Sequence, residues 1–356
     1  MKLEKKEELL ALPIQKTDIS VAEEVKKQWD TIAKPLDSLG KFERIFTKIG
    51  MIQGTKNISI GKRAVLVLCA DNGVVEEGIS QSTKEVTAIV AANMGKGITS
   101  VCRMAGVAGA DVIAVDIGID TKETIPGILQ KKIAFGTKNF LKEPAMTEEE
   151  TLKAIQTGMD LVCDCKEKGY QILATGEMGI GNTTTSSAVA AALLSLSAKE
   201  TTGKGAGLDD AGFRRKREVI RKAIEKYDLY GKDAFTVLSC VGGLDIAGLT
   251  GVFLGGALYG IPIVIDGVIS AVAALVAARI CPAAPNYMIA SHMSRENCMG
   301  YIIKELNLEP VLYADMALGE GTGAVMLFPM LDQVMEVYAE NTTFSDIHME
   351  QYKRFT

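Results

Sequence analysis

Two carboxylates set among glycines carry the chemistry that this chain can be read to perform. Glu320 stands in Leu318-Gly319-Glu320-Gly321-Thr322-Gly323, and Glu177 in Gly176-Glu177-Met178-Gly179-Ile180-Gly181-Asn182-Thr183-Thr184. Both segments follow short apolar runs with the character of strands, and a buried sheet needs no acid there for stability. Gly319 and Gly321 let the backbone turn sharply and keep side-chain bulk away from the carboxylate. Poor solvation beside Met316 and Leu318 would raise the pKa of Glu320 toward that of a useful base; a helix-capping acid is the ordinary alternative. The Glu177 segment follows a strand and opens a helix, so free backbone N–H groups and threonine hydroxyls form a cradle suited to a phosphate monoester. It is neither a dinucleotide fingerprint nor a Walker A loop, which would need Gly-Lys-Ser/Thr. An N-cap with a tight turn is its ordinary alternative. Glu177 sits poorly beside a bare phosphate and better against ribose hydroxyls or a nitrogen heterocycle.

Further candidates are spread along the chain. The loop Gly203-Lys204-Gly205-Ala206-Gly207-Leu208-Asp209-Asp210 leads into a charged helix on which Lys216 could reach a phosphate as a point charge, with a solvated surface lysine as the alternative. Asp266-Gly267 ends a very apolar strand, so its acid either binds a ligand or caps the next helix near Ser270. Asp71-Asn72 could bind a metal ion but has the composition of a turn. The two histidines, His292 and His348, are too few and too far apart for a His-rich metal site or a Ser-His-Asp triad. Seven scattered cysteines without a C-x-x-C pair support neither a zinc ribbon nor a disulfide framework.

These groups need a scaffold, and the pattern of elements specifies one. Apolar strands are expected at 64–69, 111–116, 171–175 and 261–265, with a strand-like segment at 310–314. Helices are expected over 1–50, 80–101, 147–168, from 183, over 213–227, 244–258 and 268–280, and from about Pro329. Ser38 is positioned to cap a helix carrying Phe42, Ile45 and Phe46 on one side. Residues 122–145 are irregular, and Thr147 with Glu150 forms a capping box. Continuous apolar strands alternating with helices predict an α/β protein with a mostly parallel sheet covered on both faces. Ligands bind beyond the carboxyl ends of such strands, which here carry Asp71, Asp116, Glu177, Asp266 and Glu320, predicting one acidic cleft. The charge-free stretch 246–265 is long enough to cross a bilayer. Its glycines and Pro262 instead predict a small-residue helix, a turn at Gly260 and a buried strand, with no membrane span.

A 356-residue chain with 47% hydrophobic and 23% charged residues has an ordinary globular balance. A net charge of -5 with only 6% aromatics argues against nucleic-acid binding. The charged start MKLEKKEELL has no secretory apolar core, which predicts a reducing, cytoplasmic setting.

The ordered blocks resemble the nicotinate-nucleotide–dimethylbenzimidazole phosphoribosyltransferase family, which activates the lower ligand of cobamides (vitamin B12 nucleotide loop assembly). The blocks are Lys34 to Gly40, Asp71-Asn72-Gly73 to Ser80, Gly176 to Thr184, Gly205-Ala206-Gly207-Leu208-Asp209 and Val241-Gly242-Gly243, then Ile265-Asp266-Gly267, Ser291-His292-Met293-Ser294 and Leu318 to Gly323. They span nearly the whole chain. The resemblance implies a Rossmann-like sheet (61–329) with a small helical domain built from both ends (1–60 and about 330–356), assembled as a homodimer. It implies transfer of 5-phosphoribose from nicotinate mononucleotide to an aromatic base, giving an α-ribotide and nicotinate without a metal or redox cofactor. Glu320 would be the general base and Glu177 an acid near the reacting centre. Gly179, Gly181, Asn182, Thr183 and Thr184, with Gly205, Lys216 and Ser294, would hold the donor's phosphate, and Gly176 would be a further substrate-binding residue of the same segment. Asp266 and Gly267 would lie near the nucleotide, and Ser80, Met178 and Leu318 would line the acceptor pocket.

The chain departs from the family pattern in places. Asn72 replaces the histidine of Asp-His-Gly, and Asp37 stands where a glycine is usual. Glu296-Asn297-Cys298-Met299 replaces Glu-x-Gly-His, and no charged residue precedes Leu-Gly-Glu-Gly, where Met316-Ala317 stand. These changes open the acceptor to a purine or to a phenol such as p-cresol, the latter giving an O-glycoside and involving a related partner subunit. A non-catalytic partner of a sister transferase is the alternative of another class. An NAD-dependent dehydrogenase fails on the glycine spacing.

Overall fold

The computed structural model describes residues 2–203, 205 and 207–355. Helices α1 (Lys6–Leu10), α2 (Ile19–Thr31) and α3 (Lys41–Gln53) precede β1 (Arg63–Ala70). Next come α4 (Glu85–Gly95), α5 (Ser100–Val107), β2 (Asp111–Gly118), the short β3 (Leu129–Gln130) and α6 (Glu148–Glu167). β4 (Ile172–Met178) leads into α7 (Asn182–Leu194), α8 (Ala198–Thr201), α9 (Asp210–Tyr227), α10 (Ala234–Val241) and α11 (Leu244–Tyr259). Then follow β5 (Ile263–Ile265), α12 (Val268–Ile280), β6 (Met288–Ala290), α13 (Met299–Glu305) and α14 (Thr322–Glu340).

All strand pairs are parallel, in the order β3-β2-β1-β4-β5-β6. The fold is therefore the expected Rossmann-like α/β sheet. β1 shows why its sequence is uniformly apolar. Ala64, Leu66, Leu68 and Ala70 enter the core shared with α6, α11 and α12, while Val65, Val67 and Cys69 enter the opposite core with α2, α3, α5 and α14. A strand buried on both faces has no polar side to display.

The charge-free stretch folds as read: α11, a left-handed Gly260 at φ 65°, then β5. Its glycines serve close packing, because a Cβ on Gly251 would fall 1.9 Å from the carbonyl oxygen of Ile155 in α6. Among the described residues no helix is long and apolar enough to cross a membrane.

Several elements differ from expectation. α14 begins at Thr322, so Pro329 lies inside the helix, where its missing N–H forgoes one ladder bond. Residues 310–314 form no strand, only a single bridge between His292 and Leu312; the sheet's edge is β6. Gly40 precedes α3 without a side-chain cap, so Ser38 does not cap it. The expected helix over 80–101 is broken between α4 and α5, with Gly97 at φ 71°. α10 and α13, each under nine residues, are too short to give a periodic signal. The Thr147–Glu150 capping box forms as read.

The two ends of the chain make one helical layer. Trp29 of α2, Phe46 of α3 and Tyr338 of α14 stack with ring centroids 4.7–5.7 Å apart. Arg354 bonds both Asp30 and Asp37.

Candidate active site

The sheet order reverses between β1 and β4, and a cleft opens beyond the carboxyl ends of β4 and β5, where ligands bind in such folds. Glu177, Met178, Gly179, Asn182, Thr183, Gly205, Asp266, Gly267, Ser294, Leu318 and Glu320 all line it. Gly176, Gly181, Thr184 and Lys216 stand directly behind its walls. Ser80 lines a second cavity.

One half of the cleft is built for an anion. Gly181, at φ 93°, turns the chain into α7, whose first residues are Asn182 and Thr183. Lys216 of α9 is 1% exposed, and its Nζ donates to Thr183 Oγ1 at 2.8 Å. Burial pushes this ammonium down to about 8, and Glu296 and Cys298 act in the opposite direction. Among the described residues no carboxylate lies within ion-pair distance of it. Gly205, at φ 56°, presses on the same spot: a Cβ there would lie 3.0 Å from Thr183 Oγ1 and 3.4 Å from Lys216 Nζ. Since Thr183 Oγ1 accepts from the lysine, its own proton remains free for a ligand oxygen. Thr184 is buried behind the turn. Lys204 and Ala206 lie outside the described residues.

The other half holds carboxyl groups. Glu177 is buried at the end of β4, and burial, followed by the Asp245 carboxylate, raises its pKa to about 8 against the opposing pull of Asn182. Asn182 Nδ2 donates to both Glu177 Oε2 and Asp245 Oδ2, the latter at 3.1 Å. Asp245 is fully buried in the first turn of α11, and burial raises it to about 6. Glu320 adopts φ 61°, a left-handed conformation uncommon for a residue with a Cβ. Its Oε2 accepts from Val101 N of α5 at 3.2 Å. Burial raises its pKa, the Val101 bond lowers it, and Asp266 raises it further. A Cβ on Gly319 would meet Glu177 Oε1 at 2.8 Å, so the two acids flank one point of the backbone.

The loop that carries Glu320 is seated directly on β4. A Cβ on Gly176 would fall 2.4 Å from the Glu320 carbonyl oxygen, which explains this glycine without any ligand contact. From the other side Asp266 clamps the start of α14. It accepts from Gly321 N at 3.2 Å, Gly323 N at 2.8 Å and Ala324 N at 3.0 Å. Asp266 thus lines the cleft while its oxygens hold the loop, a capping role toward α14 rather than toward the helix at Ser270.

The single acidic cleft expected from five strand-end acids gathers only three of them. Asp116 is buried within β2, accepts from Ile119 N and pairs with Lys132 at 3.1 Å. Asp71 accepts from Asp120 N at 2.8 Å and borders a separate cavity that also contains Ser80 and Asn72. Gln81, the neighbour of Ser80, donates to the carbonyl of Gly207, in the loop that carries Gly205. Asp245 is a site residue that the sequence reading above does not single out; it immediately precedes the charge-free stretch 246–265. The signal that would find it is an acid in the first turn of an otherwise charge-free helix. Two family departures have plain placements: Asn72 donates to the Ile180 carbonyl at 3.3 Å, and Asn297 to the Thr202 carbonyl at 3.0 Å. Among the described residues no group of three potential ligands is arranged for a metal ion.

The family described as Phosphoribosyltransferase matches residues 14–348. The nicotinate-nucleotide–dimethylbenzimidazole phosphoribosyltransferase of Clostridium acetobutylicum is 46% identical over 336 residues, covering 94% of this chain and 96% of the relative. That of Ruminiclostridium cellulolyticum is 44% identical over 340 residues, covering 96% and 97%. The crystal structure of the Thermus thermophilus enzyme of the same name superposes with a TM-score of 0.87 at 33% identity, over 94% of this chain and 100% of that one.

Proposed function

Because the chain belongs to the nicotinate-nucleotide–dimethylbenzimidazole phosphoribosyltransferase family, we propose that its cleft moves 5-phosphoribose from nicotinate mononucleotide to an aromatic lower-ligand base. The observation that carries this reading is the buried Lys216 ammonium bonded to Thr183 of the cleft wall, in a cleft that also holds the Glu177 and Glu320 carboxyl groups. A buried cation with no carboxylate in direct contact favours a bound anion, and a phosphorylated sugar is what would span from it to the acids. The glycosidic bond from ribose C1 to the nicotinate nitrogen breaks with its electron pair going to nicotinate. The acceptor's unprotonated ring nitrogen forms the new bond from the opposite face, inverting C1, and the proton on the acceptor's other ring nitrogen passes to Glu320. Glu177, protonated at neutral pH, lies beside the reacting centre as a hydrogen-bond donor. The Glu320 carboxylate, ionised until it takes the acceptor's proton, stabilises the positive charge that grows on the sugar.

The test is nicotinate release by the isolated chain, with dimethylbenzimidazole, adenine, phenol and p-cresol offered separately and Glu320→Gln in parallel. Acceptor-dependent release that collapses in the variant supports the reading. Turnover confined to phenols would make the product an O-glycoside. Release with no acceptor at all on offer would point to hydrolysis, and no release with any would point to a non-catalytic partner subunit. A homodimer accompanies this reading, with a heterodimer as the alternative that light scattering would distinguish.

A further inference from the structure

His292 is one of two histidines in the chain and is 3% exposed, yet no step above uses it. Its surroundings fix which nitrogen carries the proton. Ser291 Oγ donates its only hydrogen to the Ile265 carbonyl at 2.6 Å. The 2.9 Å contact between Ser291 Oγ and His292 Nδ1 therefore has the imidazole as donor, placing the proton on Nδ1. The Nδ1–Cε1 edge is packed against α14, where a Cβ on Gly323 would meet both atoms within 2.2 Å. The opposite edge faces the cleft. Nε2 lies 4.0 Å from the Cβ position of Gly267, with Ser294 Oγ 3.9 Å from the same point. Among the described residues no hydrogen bond to Nε2 is made. Burial holds the imidazole below its ordinary pKa despite the nearby Asp266 carboxylate, so the ring stays neutral and the lone pair stays free at neutral pH.

We infer that His292 Nε2 is the acceptor for a ribose hydroxyl of the phosphoribosyl donor and selects ribosyl over deoxyribosyl substrates. The inference rests on the proposed donor. With phosphate at Thr183 and Lys216 and the reacting carbon between Glu177 and Glu320, the sugar lies along the wall formed by Gly267 and His292. A buried acceptor left without its hydroxyl discriminates against the analogue that lacks it.

Two measurements test this. In the first, kcat/KM is compared for nicotinate mononucleotide and its 2′-deoxy and 3′-deoxy analogues, in the wild type and in His292→Phe. Deoxygenation also alters the intrinsic reactivity of the sugar, and the ratio between the two proteins cancels that effect. The expected result is that one analogue loses roughly tenfold more relative activity in the wild type than in the variant. Equal sensitivity of both proteins to both analogues overturns the inference while leaving the proposed reaction intact. The second needs no variant: 15N-histidine NMR of the wild type, where the exposed His348 gives the only other imidazole signal. An Nδ1–H tautomer at His292 whose Nε2 resonance moves with nicotinate mononucleotide, but not with one deoxy analogue, supports the assignment. An Nε2–H tautomer, or an Nε2 resonance indifferent to bound donor, overturns it. Failure of nicotinate mononucleotide to bind by calorimetry overturns the donor assignment itself, and the inference with it.

Discussion

Gly176→Ala isolates the effect of moving Glu320 without touching its side chain. Gly176 lies within β4 and has no positive φ, so alanine brings no backbone strain of its own. The added Cβ would sit 2.4 Å from the Glu320 carbonyl oxygen and 2.7 Å from its carbonyl carbon, where ordinary contact begins at 3.4 Å. The Glu320 loop must therefore lift by about 1 Å, because β4 is paired on both sides and is the stiffer partner. A displacement of about 1 Å at a reacting group costs about 10²-fold in rate, equivalent to about 2.7 kcal/mol of barrier. The phosphate half of the cleft is untouched, so the loss should fall on kcat with KM for the donor nearly unchanged. Overpacking should cost roughly 1–3 kcal/mol of stability, read as a lowered Tm. Gly300→Ala, where a Cβ meets nothing within 4 Å, is the matched control. Wild-type kcat in Gly176→Ala would refute the claim that β4 sets the height of the Glu320 loop.

Other outcomes follow from the same geometry. Lys216→Met should raise KM for the donor roughly 10- to 150-fold through the loss of a charge-assisted bond. The same change should leave Tm equal or higher, since it removes a buried unpaired charge; calorimetry and thermal melts check both. Asp266→Asn cannot accept from Gly321 N with its amide nitrogen, so kcat should fall at least tenfold with donor binding retained in a direct titration. Activity should fall below the raised pKa of Glu320, which must be ionised, and again above about pH 8 as Glu177 loses its proton. Asp245→Asn removes a charge that raises Glu177, and should move the alkaline limb of the kcat profile to lower pH. Because the folded-state pKa of Glu177 is raised from 4.5, the stability linked to its proton is full below pH 4.5 and is lost as pH rises through about 8. Glu177→Gln should therefore gain Tm relative to the wild type between pH 5 and pH 9.

The sequence disclosed what local pattern encodes. β1 and the run before Glu177 announced themselves as doubly buried strands, and the glycine spacing around Glu177 and Glu320 marked both acids. The capping box at Thr147 was visible because all its partners lie within one turn. What stayed hidden depends on distant contacts. β6 is three residues long and is a strand only because β5 lies beside it. α14 extends past Pro329 toward its start because Asp266 caps it, a contact across 57 residues for Gly323. Asp116 resembled Asp266 in the sequence, but it is buried on β2, where it accepts from Ile119 N and pairs with Lys132. Asp245 was concealed by the apolar helix that buries it.

The placement of α14 has a consequence for how the protein comes to be active. The helix spans 19 residues, or about 28 Å, with the Glu320 turn at one end and Tyr338 among the earliest helices at the other. Gln28 meets the Tyr338 backbone across 310 positions, and Arg354 meets Asp30 across 324. Contacts of such separation form late, after the loop-closure entropy between them has been overcome. The turn that carries Glu320 is therefore fixed in place only when both ends of the chain have met, a condition that its own neighbours in sequence do not reveal.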